Sequence, residues 1–425
     1  MSAATEPQPT SAPSAPAAAE APPRPPVRLG VAMFVGPMMW VGSFMGFNAI
    51  LLPARLEAIA PDQKVSLVAA LAVLGSIVAL LANIFFGALS DLTRSRFGRR
   101  LPWIFVGSLG TFAASLGLIF TSDVTMTVLA WCCFQFFLNA IVAPMITVIP
   151  DRVDTAFRGT FSAIYGVGAI VGVALGQIVS SRFVADPNTG MWILALVLLA
   201  CAPVFAMLAP DVSNADVPRA PLSAGMLLAN FSFPVKGARD FYLALSGKLL
   251  FMLGTYSVLG YQLYILTDYI GLSTAQAGDI IAIMALITLG TALLFGATAG
   301  PLSDRIGRRK ILVIGAALLA AIATTIPFFV AEPWAMIAFA LIAGIGNGIY
   351  NSVDQALNYD VLPDPETAAK DLGIINMANT GGQILGPALT SVIVGLTAGF
   401  GAVFIAAAGI LVLSAALIKP IRKAR

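Results

Sequence analysis

Gly87-Ala88-Leu89-Ser90-Asp91, running into Arg94, Arg96 and Gly98-Arg99-Arg100, has a near copy in Gly300-Pro301-Leu302-Ser303-Asp304-Arg305, followed by Gly307-Arg308-Arg309-Lys310. The two stretches start 213 residues apart in a chain of 425, and each lies between long apolar segments. A second pair repeats the register. Ile149-Pro150-Asp151 leads through Thr155-Ala156 to Gly159, and Leu362-Pro363-Asp364 leads through Thr367-Ala368-Ala369 to Gly373, again offset by 213 with one residue inserted afterwards. Two matches at one offset indicate a duplicated chain.

The material between the repeats is lipid-like. The chain is 58% hydrophobic and 11% charged, with mean hydropathy +0.90, whereas a soluble surface needs about a quarter of the residues charged. Apolar stretches of about 20 residues, enough to cross roughly 30 Å of hydrocarbon as helix, recur near 31–54, 65–88, 102–121, 125–149, 159–182 and 191–209. Six more follow near 241–267, 275–298, 311–330, 334–359, 372–396 and 400–418. The expected fold is an all-α integral membrane protein, with 12 transmembrane helices in two six-helix pseudo-symmetric halves. The expected organisation is a disordered cytoplasmic tail (1–28), an N-terminal bundle (29–209), a cytoplasmic linker (210–240), a C-terminal bundle (241–418) and a short tail (419–425). A short amphipathic helix around Ala224–Phe233 is a possible element of the linker.

Charge sets the orientation. Twenty-one of the 24 Lys and Arg fall on one side, counting Lys248 with the linker and its flank; only Arg55, Lys64 and Arg182 fall on the other. The bias places both termini in the cytoplasm. Cys132, Cys133 and Cys201 lie in apolar segments, which suggests neither a disulfide framework nor a thiolate metal site. With no His in the chain, imidazole cannot relay protons or bind metal. No metal and no cofactor are expected. Neither a nucleotide-binding loop nor a soluble catalytic segment appears, so neither an ATP-driven pump nor an enzyme is expected.

At the paired loops the chain resembles the major facilitator superfamily, whose signature reads Gly-x-x-x-Asp-Arg-x-Gly-Arg-Arg/Lys; the likeness runs over 30–418. The copy at 300–310 matches closely. The copy at 87–100 has Leu92 at the first Arg position and extra residues before Gly98, and is similar to the loop of glycoside–cation and sucrose-type symporters. The resemblance implies a secondary transporter in the cytoplasmic membrane of a bacterium, working as a monomer by alternating access and driven by a proton gradient. The implied cargo is a small polar solute, a sugar or glycoside. A proton-coupled drug or metabolite exporter is the nearest alternative, and a non-transporting membrane receptor a further one.

Asp91 and Asp304 can accept charge-assisted hydrogen bonds that exist in one packing of the halves and not the other. With Arg99, Arg100, Asp151, Arg152, Arg305, Arg308, Arg309 and Asp364 they form the expected gating set; part of the arginines' effect is simply to fix topology and attract anionic lipid. The expected solute groups are Trp40 and Asn48 on span 1, Gln135 and Asn139 on span 4, Tyr256, Tyr261, Gln262 and Tyr264 on span 7, and Asn347, Tyr350 and Asn351 on span 10. In the superfamily, helices 1, 4, 7 and 10 line the central cavity. Asn347, Asn351, Asp354 and Asn358 fall on one stripe of span 10. Asp354 is the candidate for proton coupling, since a lone buried carboxylate must be neutralised or paired; a structural salt bridge is the rival reading. The body of span 2 lacks the carboxylates that a sodium-coupled sugar symporter would show there. Gly168, Gly172 and Gly176 on span 5, and Gly382 and Gly386 on span 11, read as close helix contacts. Asn376, Asn379 and Gln383 on span 11 read as helix-bridging groups first, with contact to ligand as the alternative.

Overall fold

The computed structural model describes residues 27–211, 213–215, 234, 238–363 and 368–423. Residues 1–26, most of the linker with its suggested 224–233 helix, and Asp364 lie outside the described residues. The described chain is helical. The first half comprises α1 (Val27–Ile59, with a π turn at Phe47–Leu51), α2 (Lys64–Leu92), α3 (Leu101–Phe120), α4 (Val124–Arg152), α5 (Arg158–Ser181) and α6 (Pro187–Leu208). The second comprises α7 (Arg239–Leu259), α8 (Thr274–Ile306), α9 (Arg309–Phe329), α10 (Pro333–Asp360), α11 (Ala368–Thr397) and α12 (Gly401–Ile418). Beyond α7 the chain breaks at Gly260–Tyr261, resumes at Gln262–Tyr264 and passes through a π turn at Ile265–Tyr269.

Among the described residues, 11 helices are long and apolar enough to cross a membrane, which makes the chain a multi-pass membrane protein. The helix left out of that count, α11, is long enough but diluted by Asn376, Asn379 and Gln383. Val27 and Arg28 belong to α1 rather than to a tail; the Arg28 guanidinium donates to the Met207 carbonyl at 2.9 Å.

Packing repeats with the sequence. Helix α1 packs on α5 and α6, and α7 packs on α11 and α12; α4 packs on α2 and α3, and α10 on α8 and α9. The halves meet through α5 against α8 and α2 against α11, two contacts that a twofold exchange of the halves interconverts. Backbones come very close where the glycines sit. A Cβ on Gly176 would lie 1.9 Å from the Gly42 carbonyl oxygen, and one on Gly386 2.9 Å from the Leu253 carbonyl oxygen. With little hydrophobic drive between helices in lipid, such approach provides the van der Waals contact that holds them. Gly176→Ala is therefore expected to cost about 1–3 kcal/mol, seen as a lower midpoint of thermal unfolding in detergent.

Each half has its own apolar core, around Trp131, Phe134 and Phe205 in the first and Phe241, Phe251 and Tyr350 in the second. A third cluster crosses between them: Ala49, Ile50 and Val184 pack with Val258, Tyr261, Tyr264, Ile265 and Phe404. It lies at the end opposite the arginine loops.

Candidate functional site

At the basic end the two loop copies build matching carboxylate–guanidinium clusters. In the first half Arg100 is buried and reaches Asp91 at 2.7 Å and Asp151 at 2.8 Å, with Ser90 as a further partner; Arg99 also binds Asp151. In the second half Arg309 reaches Asp360 at 2.7 Å and Asp304 at 3.3 Å. The last arginine of each copy, not the first, thus holds the aspartate, so Leu92 in place of an arginine leaves the pairing intact. Arg305 and Arg308 are exposed, and Arg152 ties to the Ala209 and Pro210 carbonyls at 3.2 and 3.0 Å. Gly98 and Gly307 have φ of +78° and +63°, the left-handed turn each loop needs. These ion pairs each stay within one half.

The opposite end differs, because its charges cross between the halves. Lys64 at the start of α2 binds Asp268 beyond α7 at 2.7 Å, binds Glu57 of its own half, and lies 4.8 Å over the Tyr264 ring. Arg182 pairs with Asp279 of α8 at 3.1 Å. The Tyr264 hydroxyl donates to the Pro53 carbonyl at 2.8 Å, and the Tyr261 hydroxyl lies 2.9 Å from the Val65 carbonyl. Backbones close up too: a Cβ on Gly278 would meet the Ser181 carbonyl oxygen at 2.3 Å. Two of the three cations that depart from the charge bias are therefore fasteners between halves, while Arg55 turns inward to Asn188 at 2.6 Å and to Thr121 within its own half. Sequence spacing leaves Asp268 and Asp279 as plain loop residues, because the partner of each lies on the other half.

Between the seal and the basic end lies a cavity of about 480 Å³. Of the expected solute groups, Tyr256, Gln262, Asn347 and Asn351 line it. So do Gln177 of α5, Thr288, Thr324, and both Asn379 and Gln383 of α11. Asn379 and Gln383 thus face the cavity, and the Asn379 amide donates to Asn376 of the same helix at 2.6 Å. Trp40, Asn48, Gln135 and Asn139 are not among its lining residues; Asn139 accepts from Asn83 at 3.2 Å and donates to the Gln135 carbonyl at 2.9 Å. Tyr261 and Tyr264 belong to the seal and Tyr350 to the core. Among the described residues, none that lines it is charged.

Asp354 is not a lone carboxylate. Lys248 of α7 donates to its Oδ2 at 2.8 Å, and Asn358 donates to the same oxygen at 2.9 Å. The Tyr350 ring, one turn before Asp354, stacks on Phe251 with centroids 3.6 Å apart and planes within 4°. Lysine and aspartate are 3% and 4% exposed. Lys248 therefore does not belong with the linker in the charge tally: it lies inside α7, one turn from the cavity-lining Met252. A lysine within an apolar span is as costly as an aspartate, and that cost is the signal in the sequence that points to a pair. The positions 213 residues earlier, Val35 and Ile141, are apolar, so only one half carries it.

Among the described residues, no cluster of three or more His, Cys, Asp or Glu could hold a metal, and the three cysteines are free thiols. Residues 29–230 and 243–425 match the Major Facilitator Superfamily, and the chain belongs to that family. The superposition agrees. A crystal structure of a mutant of the nucleoside transporter NupG covers 92% of this chain and 99% of its own at TM-score 0.70 and 15% identity. A bacterial homologue of the human lysosomal transporter Spinster, inward-facing and unoccupied, covers 93% and 95% at TM-score 0.61 and 15% identity. These likenesses are of fold. A gentisate transporter of Corynebacterium glutamicum is 35% identical over 103 residues; the match spans 23% of this chain and 23% of that relative.

Proposed function

We propose that the chain is a proton-coupled secondary transporter, not an enzyme, that imports a neutral, hydroxylated solute such as a sugar or glycoside. Family membership and fold support a carrier that moves a small solute. The observation that carries the finer reading is an uncharged cavity rich in amides and hydroxyls, set beside one buried Lys248–Asp354 pair. Amide and hydroxyl groups satisfy a polyol's donors and acceptors without the desolvation cost of burying a charge. A volume of about 480 Å³ falls in the usual range for small-molecule sites.

All 12 long helices span the membrane in this reading, with the arginine loops and both termini cytoplasmic and the protein monomeric. The sealed end is then external and the state inward-facing. Alternating access exchanges the cross-half seal for contacts at the cytoplasmic end, and the Asp91–Arg100 and Asp304–Arg309 pairs are the groups available to take new partners there.

Coupling follows from the buried pair. Taking a proton onto Asp354 strands the Lys248 charge, and a stranded buried charge is costly. Protonation therefore requires a rearrangement of α7 against α10, and α7 also carries Tyr256 on the cavity wall. Solute position and proton occupancy thereby share one helix. A second reading, an aromatic-acid carrier, is favoured by the short match to the gentisate transporter. Its weakness is that the cavity wall offers no cation to an anionic solute, the nearby Lys248 being held by Asp354.

The test is uptake into proteoliposomes under an imposed inward proton gradient, with a panel of neutral sugars and glycosides, aromatic acids and lipophilic cations. Accumulation of a sugar or glycoside that collapses with a protonophore is expected. Accumulation of aromatic acids alone would replace this reading with the second, and expulsion of lipophilic cations would replace both with an exporter.

A further inference from the structure

Helices α4 and α10 correspond in place but not in content. The first arginine loop is the longer copy, so the helices that follow it find their counterparts 209 residues on, as Gly98 does in Gly307. Contacts repeat at this register: Gly110 meets Phe137 as Leu319 meets Gly346, and Gly75 meets Gln135 as Thr288 meets Gly344. Trp131 and Phe134 then stand where α10 has Ala340 and Ala343. In the first half those two rings are fully buried and stacked, with centroids 5.1 Å apart and planes within 9°, and the indole donates to the Leu71 carbonyl at 3.1 Å. In the second half Ala340, Ala343 and Met284 line the cavity instead. Phe339 and Thr288, in the places of Ala130 and Gly75, return part of the lost volume. Room for about one aromatic ring is left in an interior that is otherwise close-packed. Toward the basic end of the same helices, Leu138 and Val142 are matched by Asn347 and Asn351, which line the cavity too. The cavity therefore has two parts, an amide wall and an apolar lobe nearer the seal.

We propose that this lobe is a subsite for an aromatic-ring-sized apolar group on the solute, so that the cargo is an aryl glycoside rather than a free sugar. A sugar hydroxyl placed against Ala340, Ala343 and Met284 would leave water and gain no partner. A ring placed there loses nothing by leaving water. It also restores the dispersion contacts that the lining atoms forfeit in its absence, and apolar cavities of this kind take apolar guests. Phe339 gives the ring an aromatic neighbour to stack on or meet edge-on. The hydroxyls of the same solute then fall against Asn347 and Asn351, farther along α10. The first half supplies the guest for its own lobe, as Trp131, and so offers the solute no equivalent place. The proposal rests on the sugar-or-glycoside reading for the polar part of the ligand, whereas the lobe itself requires only a ring.

The experiment compares matched ligands by calorimetric titration of the full chain in lipid nanodiscs. The probes are phenyl and methyl glucosides, phenyl and methyl galactosides, and benzoate. The parent is expected to bind a phenyl glycoside roughly 10–100-fold more tightly than its methyl partner, the gain from burying one ring. Ala340→Trp, which puts into the second half the indole that the first half carries at Trp131, is expected to erase that preference while the methyl glycoside still binds. Ala343→Phe is the second filling variant, and gel filtration with thermal melting confirms folding of each. A parent that binds phenyl and methyl partners alike overturns the proposal. So does an affinity for ring-bearing probes that is unchanged in both folded variants, and so does a parent that binds no ring-bearing probe. If benzoate alone binds, and the filling variants lose it, the lobe is supported and it is the glycoside reading of the cavity that fails.

Discussion

Replacing Lys248 by methionine will abolish proton-driven accumulation and destabilise the fold by about 3–5 kcal/mol, because it leaves the Asp354 carboxyl buried without its partner. Asp354→Asn will do the same in mirror image by stranding the ammonium. The informative variant is the double replacement K248M/D354L, which removes both charges. A buried ion pair replaced by apolar groups of similar volume is commonly neutral or stabilising, so the double variant recovers the folding lost in either single one. It does not recover coupling. Asn358 loses its acceptor in that variant, which limits the recovery. Thermal unfolding in detergent separates the two effects: single variants melt early, and the double variant melts near the parent while failing to accumulate solute against a gradient. A double variant that still accumulates solute would reduce the pair to a structural element.

The second large effect lies at the other end. Lys64→Glu puts three carboxylates together where Glu57 and Asp268 now share one ammonium, and removes the cation over the Tyr264 ring. Lys64 is only 13% exposed, but Glu57 and Asp268 are 48% and 34% exposed, so solvent screens much of the change. Exposed pairs give up to about 1 kcal/mol each; a lost pair plus repulsion is expected to total about 1–2 kcal/mol, or roughly 5–30-fold toward the externally open state. A cysteine at Gln177 on the cavity wall, in the cysteine-free chain, should then react that much faster with an impermeant thiol reagent added outside. Adding Asp268→Lys restores an opposite-charge pair across the halves and should slow the reaction again. Equal reactivity in all three chains would remove Lys64 from the seal.

Much of this architecture is legible in the sequence, because its causes are local. Hydrophobic length marks spans, the loop copies mark the duplication, and the bias of Lys and Arg marks orientation, none of which needs a tertiary contact. The glycine rows on α5 and α11 read correctly as places of close approach for the same reason: small residues every fourth position make a flat face. What stays hidden depends on partners distant in the chain. Lys248 sits 106 residues from Asp354; its place inside an apolar span signals that it needs a partner, but not which residue supplies it. Asp268 and Asp279 look like loop polarity until the other half brings up Lys64 and Arg182. The helical stripe on α10 correctly groups Asn347, Asn351, Asp354 and Asn358. It cannot say that the first two face a cavity while Asp354 meets a lysine and Asn358 donates to the Asp354 carboxylate. The amides of α11 show the converse: read from sequence as helix-bridging, Asn379 and Gln383 line the cavity.

The central claim is that the Lys248–Asp354 pair couples the proton to the solute. It is tested most directly by solute-induced proton movement in proteoliposomes carrying a pH-sensitive dye, with the parent and K248M/D354L compared on whichever sugar or glycoside the parent accumulates. The account predicts that solute added outside makes the parent alkalinise the external medium. The double variant should exchange labelled for unlabelled solute without any proton signal. A double variant that moves protons with the solute as the parent does would contradict it.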